Sequence, residues 1–135
     1  MPSVNDKIRS VLEARLSSIT GIPDIAWENV KYSPTTGRPF VQPLFLPTQQ
    51  RPSVRGLNPI LRYQGIFSVN CFVPEGNGPG AADDLANLII DSFPATTDLT
   101  DGTHYVTIEF AERQQGVLRS PWYMVTVDVD WYSYK

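Results

Sequence analysis

Asp128 and Asp130 are the residues best spaced for chemistry. On an alternating segment, two carboxylates two positions apart point the same way, about 7 Å apart along a strand. Such a pair can move protons or supply part of a metal shell. Nothing else in the chain completes either use: no His/Cys set has metal spacing, and a solvated acidic strip is the plainer reading. His104 is the only histidine, so any serine or cysteine nucleophile would have to draw on it. It shares a phase with Val106 and Ile108 at a strand start, where a partly buried structural imidazole is expected. Cys71, the only cysteine, falls on the apolar phase of its segment. That is the place of an inert buried thiol, and a lone cysteine excludes an internal disulfide.

The glycine run Gly76-Asn77-Gly78-Pro79-Gly80 lies between a predicted strand and a predicted helix, as a phosphate cradle would. A dinucleotide site needs G-x-G-x-x-G with backbone N–H groups free to face the pyrophosphate. Here Pro79 removes a donor, Asp83 and Asp84 put like charge where phosphate would sit, and no P-loop lysine follows. The run reads as a strand-to-helix turn. Catalysis is therefore not indicated, and neither cofactor nor metal is expected.

The elements that must carry these residues centre on Arg62–Val73. Tyr63, Gly65, Phe67, Val69, Cys71 and Val73 share one phase, with Gln64, Ser68 and Asn70 on the other, so a central strand with one dry face is expected. Pro74 should end its pairing. Upstream, Val4, Ile8, Val11, Leu12, Leu16 and Ile19 repeat at helical spacing, and Gly21 and Pro23 stop a helix spanning 4 to about 18. Ile25–Val30 reads as a short strand and Phe40–Leu46 as a second, its prolines marking a sheet edge or bulge. Thr48–Leu61 shows no period and reads as a long functional loop or a solvated one. After the glycine turn a second helix runs to Pro94, with Pro79 at its first position. His104–Phe110 alternates, Gln114-Gln115-Gly116 reads as a hairpin tip, and Tyr123–Trp131 forms the return strand. Two helices on one face of about five mostly antiparallel strands make an α+β two-layer sandwich.

With 135 residues the chain suits one domain, 1–135, and 41% hydrophobic content supports a real core. Of twelve prolines, six lie between Pro34 and Pro59, which excludes helix there. A net charge of −3 gives no nucleic-acid footprint. No apolar run approaches the ~20 residues of a membrane span, and the N-terminus lacks a signal-type core, so a soluble protein is expected. Trp122, Tyr132 and Tyr134 cluster near the last strand, while Phe45 and Ile66 lie on phases opposite the expected core. Part of the second sheet face is then covered, either by this chain or by another subunit.

Trp27-Glu28-Asn29, the strand Arg62-Tyr63-x-Gly65-x-Phe67 and its exit Pro74-x-Gly76-x-Gly78 resemble the tail terminator-like proteins of long-tailed bacteriophages, over nearly the whole chain. The resemblance implies a virion protein at the head-proximal end of the tail, assembled in the host cytoplasm. There it would form a hexameric ring that caps the tube of tail tube protein, ends polymerisation and joins a head-completion or connector protein. DNA would pass through without specific binding. A ring needs heterologous contacts, expected from the 48–61, 74–80 and 112–120 segments through Arg51, Arg55, Leu57, Ile60, Asn77, Gln114, Gln115, Leu118 and Arg119. Asp128 and Asp130 are expected to face the channel, where acidic walls repel phosphate. The alternatives are another head–tail neck ring protein or, from a different class, a small hydrolase or nucleotide-binding protein.

Overall fold

The computed structural model describes residues 4–34, 37–52, 61–76, 78–102 and 104–134, with the backbone alone for 49–52. Two helices, α1 (Val4–Ser17) and α2 (Gly80–Ser92), accompany seven strands: β1 (Asp24–Ile25), β2 (Phe40–Pro52), β3 (Leu61–Pro74), β4 (Asp98–Thr100), β5 (Tyr105–Arg113), β6 (Val117–Arg119) and β7 (Trp122–Tyr134). The sheet order is β1-β2-β3-β7-β5-β4, with β6 also paired to β7. The α+β class holds, but the sheet has seven strands instead of five. It is mixed, because β1 runs parallel to β2.

β3 lies at the centre, antiparallel to β2 on one side and β7 on the other. Its dry phase is as the alternation predicts: Tyr63, Phe67, Val69, Cys71 and Val73 are all buried. They join Val125, Val127, Val129 and Trp131 of β7 and Ile8, Leu12, Leu16, Ala86 and Ile89 of the helices in one core. Each large aliphatic or aromatic side chain fully buried there is worth about 1.5–3 kcal/mol. Arg15 Nε of α1 donates to the Ser92 carbonyl at 2.7 Å, placing a cation at the C-terminal end of α2. Pro79 occupies the N-cap of α2, one position ahead of the expected first turn.

Gly65 explains why β3 tolerates a glycine at its middle. A Cβ there would stand 2.4 Å from the Leu46 carbonyl oxygen and 2.8 Å from Trp131 Cζ2. Trp131, directly opposite in register, lies in the space that a side chain would need, and it stacks on Phe45 with centroids 5.3 Å apart. Phe45 therefore belongs to the core, not to the second face. It shares its phase with Val41, which is fully buried.

Four further expectations change. The strand expected over Ile25–Val30 ends at Ile25, because Trp27 to Val30 turn over the edge of β2, with Asn29 in the left-handed region at φ 57°. Thr48–Pro52 is not loop: β2 continues through it, pairing Gln49 with Gln64 and Pro52 with Leu61 after a bulge. Gln114-Gln115-Gly116 is not the hairpin tip, since the chain runs on into β6 along the same edge of β7. It reverses at Ser120-Pro121, a cis peptide. Finally, a bulge between Ile108 and Phe110 shifts the phase of β5. Phe110, which the alternation puts in phase with Ile108, is turned to the other face and is 42% exposed.

Candidate assembly surface

Opposite the helices, the sheet presents rows set by its register. Phe40, Phe72 and Met124 stand side by side at one end. Phe40 stacks on Phe72 at 4.5 Å and meets Trp122 edge-on at 5.2 Å, while Tyr32 lies 5.3 Å from Phe40. This end is thus covered by the chain's own aromatics. The next row is a hydrogen-bonded polar seam: Thr126 Oγ1 donates to Asn70 Oδ1 at 2.6 Å, and Asn70 Nδ2 to Gln42 Oε1 at 3.2 Å.

Then come Leu44, Ser68, Asp128 and Glu112, followed by Leu46, Ile66, Asp130 and Phe110. Asp128 is held by its neighbours, accepting a short bond from Ser68 Oγ and one of 3.1 Å from Gln114 Nε2. Asp130 lies between Ile66 and Phe110. Desolvation, then the charges of Glu109, Glu112 and Asp128, hold its carboxyl above the usual range. Beyond this row Arg62 lies over the Tyr132 ring at 4.6 Å and reaches Glu109 at 3.3 Å.

The edge of β2 is closed by composition. Val41 O accepts the Ala26 N–H at 2.7 Å, so the backbone groups of Val41 and of every second residue after it point to that edge. Those residues are Pro43, Phe45 and Pro47. The two prolines carry no donor, and the Phe45 N–H is taken by Glu28 Oε1 at 3.0 Å. No free donor remains along Val41–Pro47 for another strand to pair with. Glu28 thus acts as an edge clasp, which sequence alone did not reveal because its partner is seventeen residues away.

The expected contact residues fall into separate groups. Arg55, Leu57, Ile60 and Asn77 lie outside the described residues, and Arg51 stands in β2 opposite Arg62. Leu118 is 64% exposed on β6, beside exposed Arg119. Gln115 is exposed, and the Gln114 N–H donates to Thr126 O at 2.8 Å. The turn after β3 meets the β6–β7 reversal: Glu75 N–H donates to Pro121 O at 3.1 Å, and Ser120 Oγ to Glu75 Oε1 at 2.8 Å. The 74–80 and 112–120 segments therefore converge at one end of β3, while the β2–β3 ladder ends at the Pro52–Leu61 pair at the other.

Of the residues weighed for catalysis, Asp128 and Asp130 share the open face, while Cys71 belongs to the core. Cys71 is fully buried, and burial pushes its thiol up to about 12, the behaviour of an inert group. His104 immediately precedes β5, its N–H held by Asp101 Oδ1 at 2.8 Å. Among the described residues no group of three or more His, Cys, Asp or Glu could hold a metal ion. No helix of the described residues is long and apolar enough to cross a membrane.

The chain belongs to the phage tail terminator protein family, whose model matches residues 7–131. It is accordingly a phage tail structural protein. A solved structure bearing only a serial designation is similar to it at 22% identity, with a TM-score of 0.77 over 99% of this chain and 97% of the other. That likeness supports the fold. No curated protein matches the sequence.

Proposed function

We propose that this chain, acting as one domain over 1–135, is the subunit of a hexameric ring seated at the head-proximal end of the tail tube. The ring ends tube polymerisation and presents the surface that joins tail to head. Its partners are copies of itself, the tail tube protein and a head-completion or connector protein. DNA passes through without specific binding, and the ring assembles in the host cytoplasm.

Beside family membership, one observation carries this reading. The described parts of the candidate contact segments lie at opposite ends of β3, a strand of 14 residues that spans roughly 43 Å. A subunit held between tube and head needs two separate partner surfaces, besides those that close the ring.

The test adds purified protein to tail tubes and follows elongation on addition of tube protein, with negative-stain imaging of the ends. Rings on one end of each tube and arrested growth are expected. Tubes that keep growing at full rate, with the protein found only on the portal side of heads, would replace this reading with a connector.

A further inference from the structure

The β2 flank is closed to strands, so whatever docks there must hold it through side chains. Beside that edge a cavity of about 610 Å³ opens between α1 and the turn after β1. It is lined by Arg9, Glu13, Trp27, Glu28, Asn29 and Val30. Trp27-Glu28-Asn29, which closes the edge on one side, therefore walls a hollow on the other.

The charges around this hollow are unevenly matched. Arg9 and Glu13 stand four residues apart on α1, a spacing at which opposite charges can pair. Arg9 instead reaches back to Asp6 at 3.0 Å and lies 5.3 Å from the centre of the Phe45 ring. Glu13 is left with no hydrogen bond or ion pair among the described residues. Desolvation raises its carboxyl above the usual range, Arg9 pulls it back only in part, and Glu28 adds to the rise. Glu28 gives Oε1 to the Phe45 N–H, and its other oxygen remains over.

Two carboxylates beside an indole, in a hollow open to solvent, complement a guanidinium. Its planar fork hydrogen-bonds carboxylate oxygens, its weak hydration makes entry cheap, and its face stacks on an aromatic ring. A phosphate or carboxylate would meet two like charges there, beside an arginine already engaged by Asp6. An aliphatic group would bury Glu13 further with nothing to pair it.

We propose that this cavity receives an arginine side chain of the tail tube, held by Glu13 and the second oxygen of Glu28 against Trp27. That the arginine belongs to the tube rests on the tube-end reading above, whereas the guanidinium chemistry does not. None of the candidate contact segments at 48–61, 74–80 and 112–120 contains a residue of this cavity, so they leave this flank unoccupied.

Isotope-labelled protein is titrated with N-acetyl-arginine methylamide and, separately, with its lysine analogue and with sodium chloride at matched ionic strength. The arginine probe is expected to shift the Trp27 indole N–H saturably, and the lysine probe to bind more weakly. Glu13→Gln should weaken arginine binding about tenfold. No saturable shift, lysine binding as tightly as arginine, the same shift with salt alone, or undiminished binding by folded Glu13→Gln would overturn the site. The probe and salt arms need only the wild-type protein, so a variant that misfolds leaves the test intact. With tail tubes, Glu13→Gln is expected to keep the wild-type mass in solution and to occupy fewer tube ends. Unchanged occupancy would overturn the tube as the source of the arginine, and a lowered mass in solution would put it on a second copy instead. The ring reading survives both of those results. Wild-type protein that ignores tube ends would remove that reading, while the arginine titration still decides the site.

Discussion

The helix-covered face and the open face of the sheet are built from the same long strands, yet they are organised by different forces. On the covered face β3 and β7 place Phe67, Val69, Val127, Val129 and Trp131 in close packing against two helices. There, volume decides. On the open face the same strands carry an aromatic end, a hydrogen-bonded seam and an acidic, half-apolar flank. There the arrangement leaves charge and apolar surface unmatched within one copy. The contrast teaches where stability resides: the first face holds the subunit together, and the second, in the assembly proposed above, is left for other subunits.

Substitutions should separate the two faces. Trp131→Ala removes a buried ring from the covered side and is expected to lower stability by about 3–5 kcal/mol, whereas Phe110→Ala should stay within about 1 kcal/mol of wild type. Urea unfolding of both would break the comparison if Phe110→Ala proved the costlier. Gly65→Ala drives a methyl group against the Leu46 carbonyl and Trp131. A loss of about 1–3 kcal/mol is expected, read as a lowered thermal midpoint.

Smaller effects belong to the edge and the open face. Glu28→Ala strips the acceptor from the Phe45 N–H and should cost about 1 kcal/mol, with faster amide exchange at Phe45. Glu28→Gln keeps an acceptor oxygen and should restore most of that protection.

Asp130 should give the least and with the opposite sign. Its carboxyl is raised by desolvation first and by neighbouring acids next, so its charged form disfavours the folded subunit. The associated stability is present below the ordinary carboxylate range and is lost as pH rises through the raised value. Asp130→Asn should therefore stabilise the isolated subunit at neutral pH, by less than about 1 kcal/mol given solvent screening. The gain should vanish as pH falls through that range, which thermal unfolding across pH would check.

Much of the covered face was legible in the sequence because burial imposes a period. The helical spacing of Ile8, Leu12 and Leu16 and the alternation of β3 and β7 survive unchanged. What escaped depends on partners distant in the chain. A bulge inserts a single residue, so alternation alone gave Phe110 the phase of Val106 and Ile108. Thr48–Pro52 has no strand pattern of its own and is held in the sheet by pairing with Leu61–Gln64. Trp27-Glu28-Asn29 looked like a strand because its role, closing the β2 edge through the Phe45 N–H, appears only when the two segments meet. The open face was visible as acid pair and aromatics, but not the rows that place Asp130 between Ile66 and Phe110.

The most direct test compares wild-type and Phe110→Ala protein in two readouts, the urea midpoint and the number of copies bound per tail tube. If the open face serves assembly, the midpoint stays within about 1 kcal/mol of wild type while occupancy of the tube end falls sharply. Full occupancy by Phe110→Ala would contradict the account, leaving that face as surface without an assembly role.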